Sequence, residues 1–370
     1  MGNDQQISVP FWIDFLGGVA ERHANIFFRL ASREESALLT DSKQQHPPVN
    51  PIYICGLARA GSSILLELLS SHPQLASHRY KDFPFLAIPL WWNWVYDRIT
   101  TSEVATMERS HKDGIMVTQD SPEAMEEILW MHFFPNCHDP ASNNVLDGSV
   151  DFPEFEQFYT QHQRKILLLR NGERYLAKGN YNVTRLEYIL KILPEARFVL
   201  PVRDPVNHVA SLMKQDALFR KEESRDKRLL AYMRRCGHFE FGLGRTALNM
   251  GNQQRTEQIK ELWKQGQDVR AWAMYWADIY EYVAERLQAN KALRKATTLV
   301  HFETFCQQPK TTLETIYKNC DLEIDSERLQ EQADKISAPD YYKVPFSDQE
   351  KEIIKQETEQ VLAKVKVFFP

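Results

Sequence analysis

Little in this sequence points to a membrane, a secreted scaffold or a nucleic-acid partner. No apolar run approaches the ~18–20 residues of a membrane span; the strongest, Phe85 to Trp94, is about half that. The start, Met-Gly-Asn-Asp, lacks a basic stretch followed by an apolar core, so no signal peptide is expected. Gln6 stands where a myristoylation motif wants Ser or Thr. Cysteine is sparse and odd in number: Cys55, Cys137, Cys236, Cys306 and Cys320, with no CxxC pair and no zinc spacing. These read as reduced thiols of a cytoplasmic protein. A charge excess is missing too. At a formal net charge of -5, no global field draws the chain to nucleic acid or anionic lipid, so any anion site must be local. With 14 glycines and 18 prolines in 370 residues and no internal repeat, fibrous and low-complexity classes are excluded as well.

What is present is an ordinary globular composition, 43% hydrophobic and 26% charged, long enough for a sizeable core. Residues 7–40 carry an amphipathic pattern (Phe11, Phe15, Phe27, Phe28, Leu30), and the Pro-rich stretch Asp41 to Pro51 connects them to the rest. The expected division is a helical extension over 1–45 and a main domain over 46–370. Short apolar strands are predicted at 52–55, Arg174–Lys178, Arg197–Val202 and Thr297–His301. Helical segments stand between them: around Leu65–Leu69, over Phe155–Leu169 up to the Asn171-Gly172 stop, over Thr184–Leu193, and through most of 204–290. Nearly all-apolar strands alternating with helices predict an α/β fold with a central parallel sheet covered on both faces and helix-rich insertions. The basic run from Arg220 to Arg235 is mixed with acids and reads as a solvated helix face.

The most informative stretch is Gly56-Leu-Ala-Arg59-Ala60-Gly61-Ser62-Ser63. Between a strand and a helix, its backbone amides and the helix N-terminus can surround a phosphate. The glycine spacing fits a nucleotide P-loop, yet Ser62 fills the lysine position and a basic residue, Arg59, sits inside the loop. That argues against ATP hydrolysis and for a ligand with a simpler 5′-phosphate. A second stretch, Arg197-Phe-Val-Leu-Pro-Val-Arg203-Asp-Pro, puts an arginine at a strand end and Ser211 eight residues on, two turns along the next helix. Arg203 and Ser211 are so placed that both could clamp one phosphate.

Taken in order, these two motifs resemble those of the PAPS-dependent sulfotransferases, whose donor is 3′-phosphoadenosine 5′-phosphosulfate. The run from Lys178 through Leu-Pro-Glu-Ala-Arg-Phe-Val to Arg-Asp-Pro, and the segment Leu299-Val-His-Phe-Glu303 to Pro309, are similar to further family patterns. The resemblance covers about residues 50–320. It implies a P-loop-like fold and transfer of a sulfuryl group to a hydroxyl or amine acceptor, a saccharide or small metabolite. The implied site has Arg59, Ala60, Gly61, Ser62 and Ser63 at the 5′-phosphosulfate, Arg203 and Ser211 at the 3′-phosphate, and Lys178 beside the leaving group. No metal is called for. Ala60 departs from the usual serine, and Ser62-Ser63 from the commoner threonines.

The resemblance implies a general base just after the first helix, a few residues past His72-Pro, where family members carry a glutamate or histidine; no glutamate stands there in this chain. Asp82 is the nearest carboxylate there, with His78 and His111 as rivals; an ion pair of Asp82 with Arg79 or Lys81 is the plain alternative. Acceptor contacts are expected from His111, Glu123 and His238, although the stretch around Glu123 also reads as a helix start capped by Asp120 or Ser121. Trp91, Trp92 and Trp94 could stack on sugar rings, but read first as core. Two alternatives stay open: a nucleotide or metabolite kinase of the same fold, and a nucleotide-binding relative without catalysis.

Overall fold

A computed structural model describes residues 9–39, 48–100, 107–108, 116–337 and 346–370. Its centre is a five-stranded parallel sheet: β1 (Ile52–Ile54), β2 (Leu75–Ala76), β3 (Arg174–Lys178), β4 (Arg197–Val202) and β5 (Thr297–His301), in the order β2-β3-β1-β4-β5. Side chains alternate across it, as strand geometry requires. Ile52, Ile54, Leu176 and Val199 face one core with Leu65, Leu69 and Ile316. Tyr53, Tyr175, Phe198 and Leu200 face the other, with Trp130, Phe155 and Trp276. Burial on both faces explains why these strands read as unbroken apolar runs.

The predicted helices are present. Gly61 leads into α2 (Ser62–Ser70), following α1 (Phe11–Arg22) in the N-terminal stretch. Downstream lie α3 (Pro89–Ile99), α4 (Glu127–Phe133), α5 (Pro153–Arg170), α6 (Leu186–Ile192), α7 (Pro205–Arg225), α8 (Lys227–Arg235) and α9 (Asp268–Ala289). Asn171 ends α5 in the left-handed region at φ 52°, a common C-terminal stop for helices. The two-residue edge strand β2 was not expected; it is too short to carry a period.

The N-terminal residues pack against the rest of the chain. Arg235 binds Asp14 at 2.5 Å and Glu21 at 2.9 Å. Lys165 makes a fully buried ion pair with Glu35 at 3.1 Å and also donates to Ser32. Arg235 is thus the exception in the basic run, whose other members are exposed.

The strand order places the site. The chain leaves β1 toward β2 on one side and leaves β4 toward β5 on the other. Beyond the carboxyl ends of β1 and β4 the connections diverge and open a crevice, where ligands of open α/β sheets bind.

Candidate active site

A cavity of about 390 Å3 opens at that crevice. The loop after β1 forms its floor. Gly61 takes φ 100°, and a Cβ there would come within 2.6 Å of the Phe302 ring, so both conformation and space require glycine. No side chain caps α2 among the described residues, leaving its first amides available to an anion.

The Arg-Asp-Pro run divides its labour. Asp204 caps α7 by accepting from the Val206 and Asn207 N–H groups at 3.0 and 3.3 Å, and Pro205 begins the helix. Glu303 in turn accepts from the Asp204 N–H at 3.1 Å. Arg203 is thereby left at the strand end, facing the loop: its Nη1 donates to the Arg59 carbonyl at 3.3 Å. Arg59 Nε donates to Ser211 Oγ at 3.4 Å, so the two motifs, far apart in sequence, meet. Pairing of β3 with β1 sets Lys178 beside Ile54, and Lys178 Nζ donates to Ser63 Oγ at 3.1 Å.

Arg59, Gly61, Ser62, Ser63, Lys178 and Arg203 all line the cavity, as do Glu123 and His238. Ala60 is fully buried and Ser211 nearly so; neither is among the lining residues, and Ser211 reaches the site through Arg59. His111 lies outside the described residues.

The structure places Asp82 away from the cavity wall. Its carboxylate is fully buried and paired with Arg170 from α5. It also accepts from Asn93 Nδ2 at 2.9 Å and from the Arg79 N–H at 2.8 Å, with His78 Nδ1 at 3.6 Å. Burial alone would raise its pKa; the neighbouring His78 and the Arg170 charge outweigh that and hold it well below the ordinary range. A carboxylate so satisfied is a poor proton acceptor. The expected partners, Arg79 and Lys81, bind Asp120 instead, at 3.0 and 3.1 Å. His78 is likewise buried, against His162.

Asp82 anchors what does reach the cavity. It closes the 79–82 turn, and the segment before it runs antiparallel to 119–123: Lys81 N–H donates to the Gln119 carbonyl at 3.0 Å and Glu123 N–H to the His78 carbonyl at 3.0 Å. Helix α4 therefore starts at Glu127, not at the Asp120-Ser121 cap.

Among the described residues three carboxylates line the cavity: Glu123, Glu127 and Glu240. Glu127 is committed to Arg185, at 2.9 and 3.0 Å, and to His138 at 2.7 Å. Glu127, His138 and Cys137 form a buried trio whose ligand atoms lie within 4.8 Å of one another. Burial pushes the Cys137 thiol up to about 12, and the arginine already neutralises the carboxylate, so the cluster is charge-paired without a metal. Glu240 accepts from Asn180 Nδ2 at 2.7 Å and stands 3.8 Å from His238 Nε2. Burial pushes His238 down, with the Glu240 charge opposing, so its ring is neutral. Glu123 accepts from the Ala124 N–H at 2.6 Å and lies close to Tyr232 and Cys236; burial pushes that thiol up to about 12, and the Glu123 charge adds to it.

Tyr80, Tyr232, Met233 and Glu240 of the wall were not among the expected contacts. None forms a motif; the fold alone collects them. The tryptophan run divides. Trp92 is buried, its indole N–H on the Lys81 carbonyl at 2.8 Å, whereas Trp91 and Trp94 are 39% and 59% exposed.

Among the described residues no helix is long and apolar enough to cross a membrane. No curated protein matches the chain in sequence. In structure it is similar to sulfotransferase STF9 from Mycobacterium avium, with a TM-score of 0.51 and 14% identity over 94% of this chain and 85% of that one. Sulfotransferase STF1 from Mycobacterium tuberculosis H37Rv follows at 0.48 and 13%, over 92% and 86%. At such identities the likeness is one of fold. The sequence itself matches the family model described as "Sulfotransferase family" over residues 51–241, a span that holds the 56–63 and 203–211 windows and more than half of the chain. This protein belongs to the sulfotransferase family.

Proposed function

We propose that the cavity transfers a sulfuryl group from PAPS to a hydroxyl or amine of a small-molecule or saccharide acceptor, with residues 46–370 as the transferring domain. The observation that carries this reading is the meeting of the two phosphate motifs, with Arg59 on Ser211 and Arg203 on the Arg59 carbonyl. The donor set fits a ligand with two separate phosphate groups. Loop amides and the Ser62 and Ser63 hydroxyls face one, while Arg203 and Ser211 serve the other, which separates this donor from ordinary adenylates.

Sulfuryl transfer asks mainly for positioning and for charge at the leaving oxygen. Lys178, held at Ser63 Oγ, and Arg59 supply positive charge where negative charge grows. Glu123 takes the acceptor's proton, in place of Asp82. The apolar wall of Met125, Tyr232 and Met233 holds the acceptor body and keeps water away from the transfer.

Calorimetric titration with adenosine 3′,5′-bisphosphate, magnesium ATP and AMP tests the donor. Selective binding of the bisphosphate is expected. Tighter binding of magnesium ATP would replace this reading with a kinase.

A further inference from the structure

His208 lies on α7 between Arg203 and Ser211, fully buried. Its Nε2 is 2.8 Å from the Ala58 carbonyl. Because a carbonyl only accepts, Nε2 carries the hydrogen and donates. Its Nδ1 is 3.2 Å from Trp276 Nε1 on α9. An indole N–H only donates, so Nδ1 is the acceptor. One neutral tautomer satisfies both partners. Burial pushes the imidazole down to about 3, with the Arg203 and Arg59 charges acting in the same sense although the bond to Ala58 opposes them. It therefore stays neutral across the physiological range.

The consequence lies in the loop. In a planar trans peptide, C=O and N–H point in opposite directions. Drawing the Ala58 carbonyl toward His208 turns the Arg59 N–H the other way. Arg203 does the same one peptide later: it holds the Arg59 carbonyl at 3.3 Å and so turns the Ala60 N–H. Arg59 sits in the left-handed region at φ 72°, a conformation a non-glycine residue adopts at a cost and which these two bonds help to hold. Successive N–H groups fixed in this way make an anion-binding concavity.

We infer that His208 is a positioning residue for the donor loop: braced by Trp276, it orients the Ala58–Arg59 peptide so that its N–H is presented to the ligand's 5′-phosphate. This rests on the donor reading above. Neither residue touches the ligand, and the effect passes through the backbone.

The test is calorimetric titration of wild type, His208→Leu and His208→Gln with adenosine 3′,5′-bisphosphate and with adenosine 3′-monophosphate. Leucine leaves the Ala58 carbonyl without its donor, while the glutamine amide reaches about as far as Nε2. His208→Leu is expected to weaken the bisphosphate about tenfold, to leave the 3′-monophosphate unchanged, and to be largely rescued in His208→Gln. Should His208→Leu fail to fold, Trp276→Phe, which removes the donor to Nδ1, is read in the same way with a smaller loss. An equal loss on both ligands, or none on the bisphosphate, overturns the inference. If the wild type does not bind the bisphosphate at all, the donor reading falls and takes this inference with it.

Discussion

The two halves of the cavity are built differently. The half proposed for the donor comes from two short windows, 56–63 and 203–211, each spanning a strand end and the next helix start, with Lys178 from β3 added. The half proposed for the acceptor is assembled from Tyr80 and from residues within 123–127, 179–181 and 232–240, most of them in loops or at helix ends. A phosphate is the same in every donor and is met by backbone at a fixed sheet edge, so its site stays local in sequence. An acceptor wall has no such constraint and draws on whatever the fold brings near. Asp82 and Glu123 show the difference at close range: both flank the 79–82 and 119–123 pairing, yet one anchors it and the other faces the cavity.

The sharpest way to break this contrast is to exchange the roles of those two carboxylates. Glu123→Gln is expected to slow transfer about 10²–10⁴-fold, the usual worth of a general base, with bisphosphate affinity unchanged. Initial rates with an acceptor the wild type sulfates, set beside calorimetry, measure both; wild-type turnover would remove Glu123 as base. Asp82→Ala should instead act on folding. It strands Arg170, 6% exposed, and is expected to cost about 3–5 kcal/mol in urea unfolding. An unchanged midpoint would contradict the anchoring role.

Acid sharpens the same point. Because the folded-state pKa of Asp82 is depressed, its contribution is fully present above the ordinary value of about 3.9 and is lost as pH falls below it. Glu126 works in the opposite direction. Burial raises it against the hydrogen bonds from Tyr175 and Tyr159, so its contribution is fullest at low pH and is lost as pH rises through the raised value. Subtracting the stability curve of Asp82→Asn from that of wild type isolates the first effect. A difference that is flat through the acid range would refute it. The smallest change is expected from Ser211→Ala: about 1 kcal/mol of bisphosphate affinity, the net worth of one hydrogen bond, and none of AMP affinity.

Legibility followed the same division. β1, β3, β4 and β5 are apolar on both faces and stand out from their surroundings, and the Gly-x4-Gly and Arg-Asp-Pro windows carry their chemistry within a few residues. Asp82 could not be placed from its neighbours, because the partner that decides its state, Arg170, comes 88 residues later. Trp91, Trp92 and Trp94 are alike in composition, and only the facing of α3 separates the buried ring from the exposed ones. His208 gave no signal at all: its role exists only once α9 and the donor loop are packed on either side of it.

The central claim is that the two windows hold two different phosphates of one ligand. Titrating Arg203→Ala and wild type with adenosine 3′,5′-bisphosphate and with AMP tests it most directly. The expected loss is about 1.5–3 kcal/mol for the bisphosphate, as for a charged hydrogen bond, with a distinctly smaller loss for AMP through the Arg59 carbonyl that Arg203 also holds. Equal losses on both ligands, or no loss on either, would contradict it.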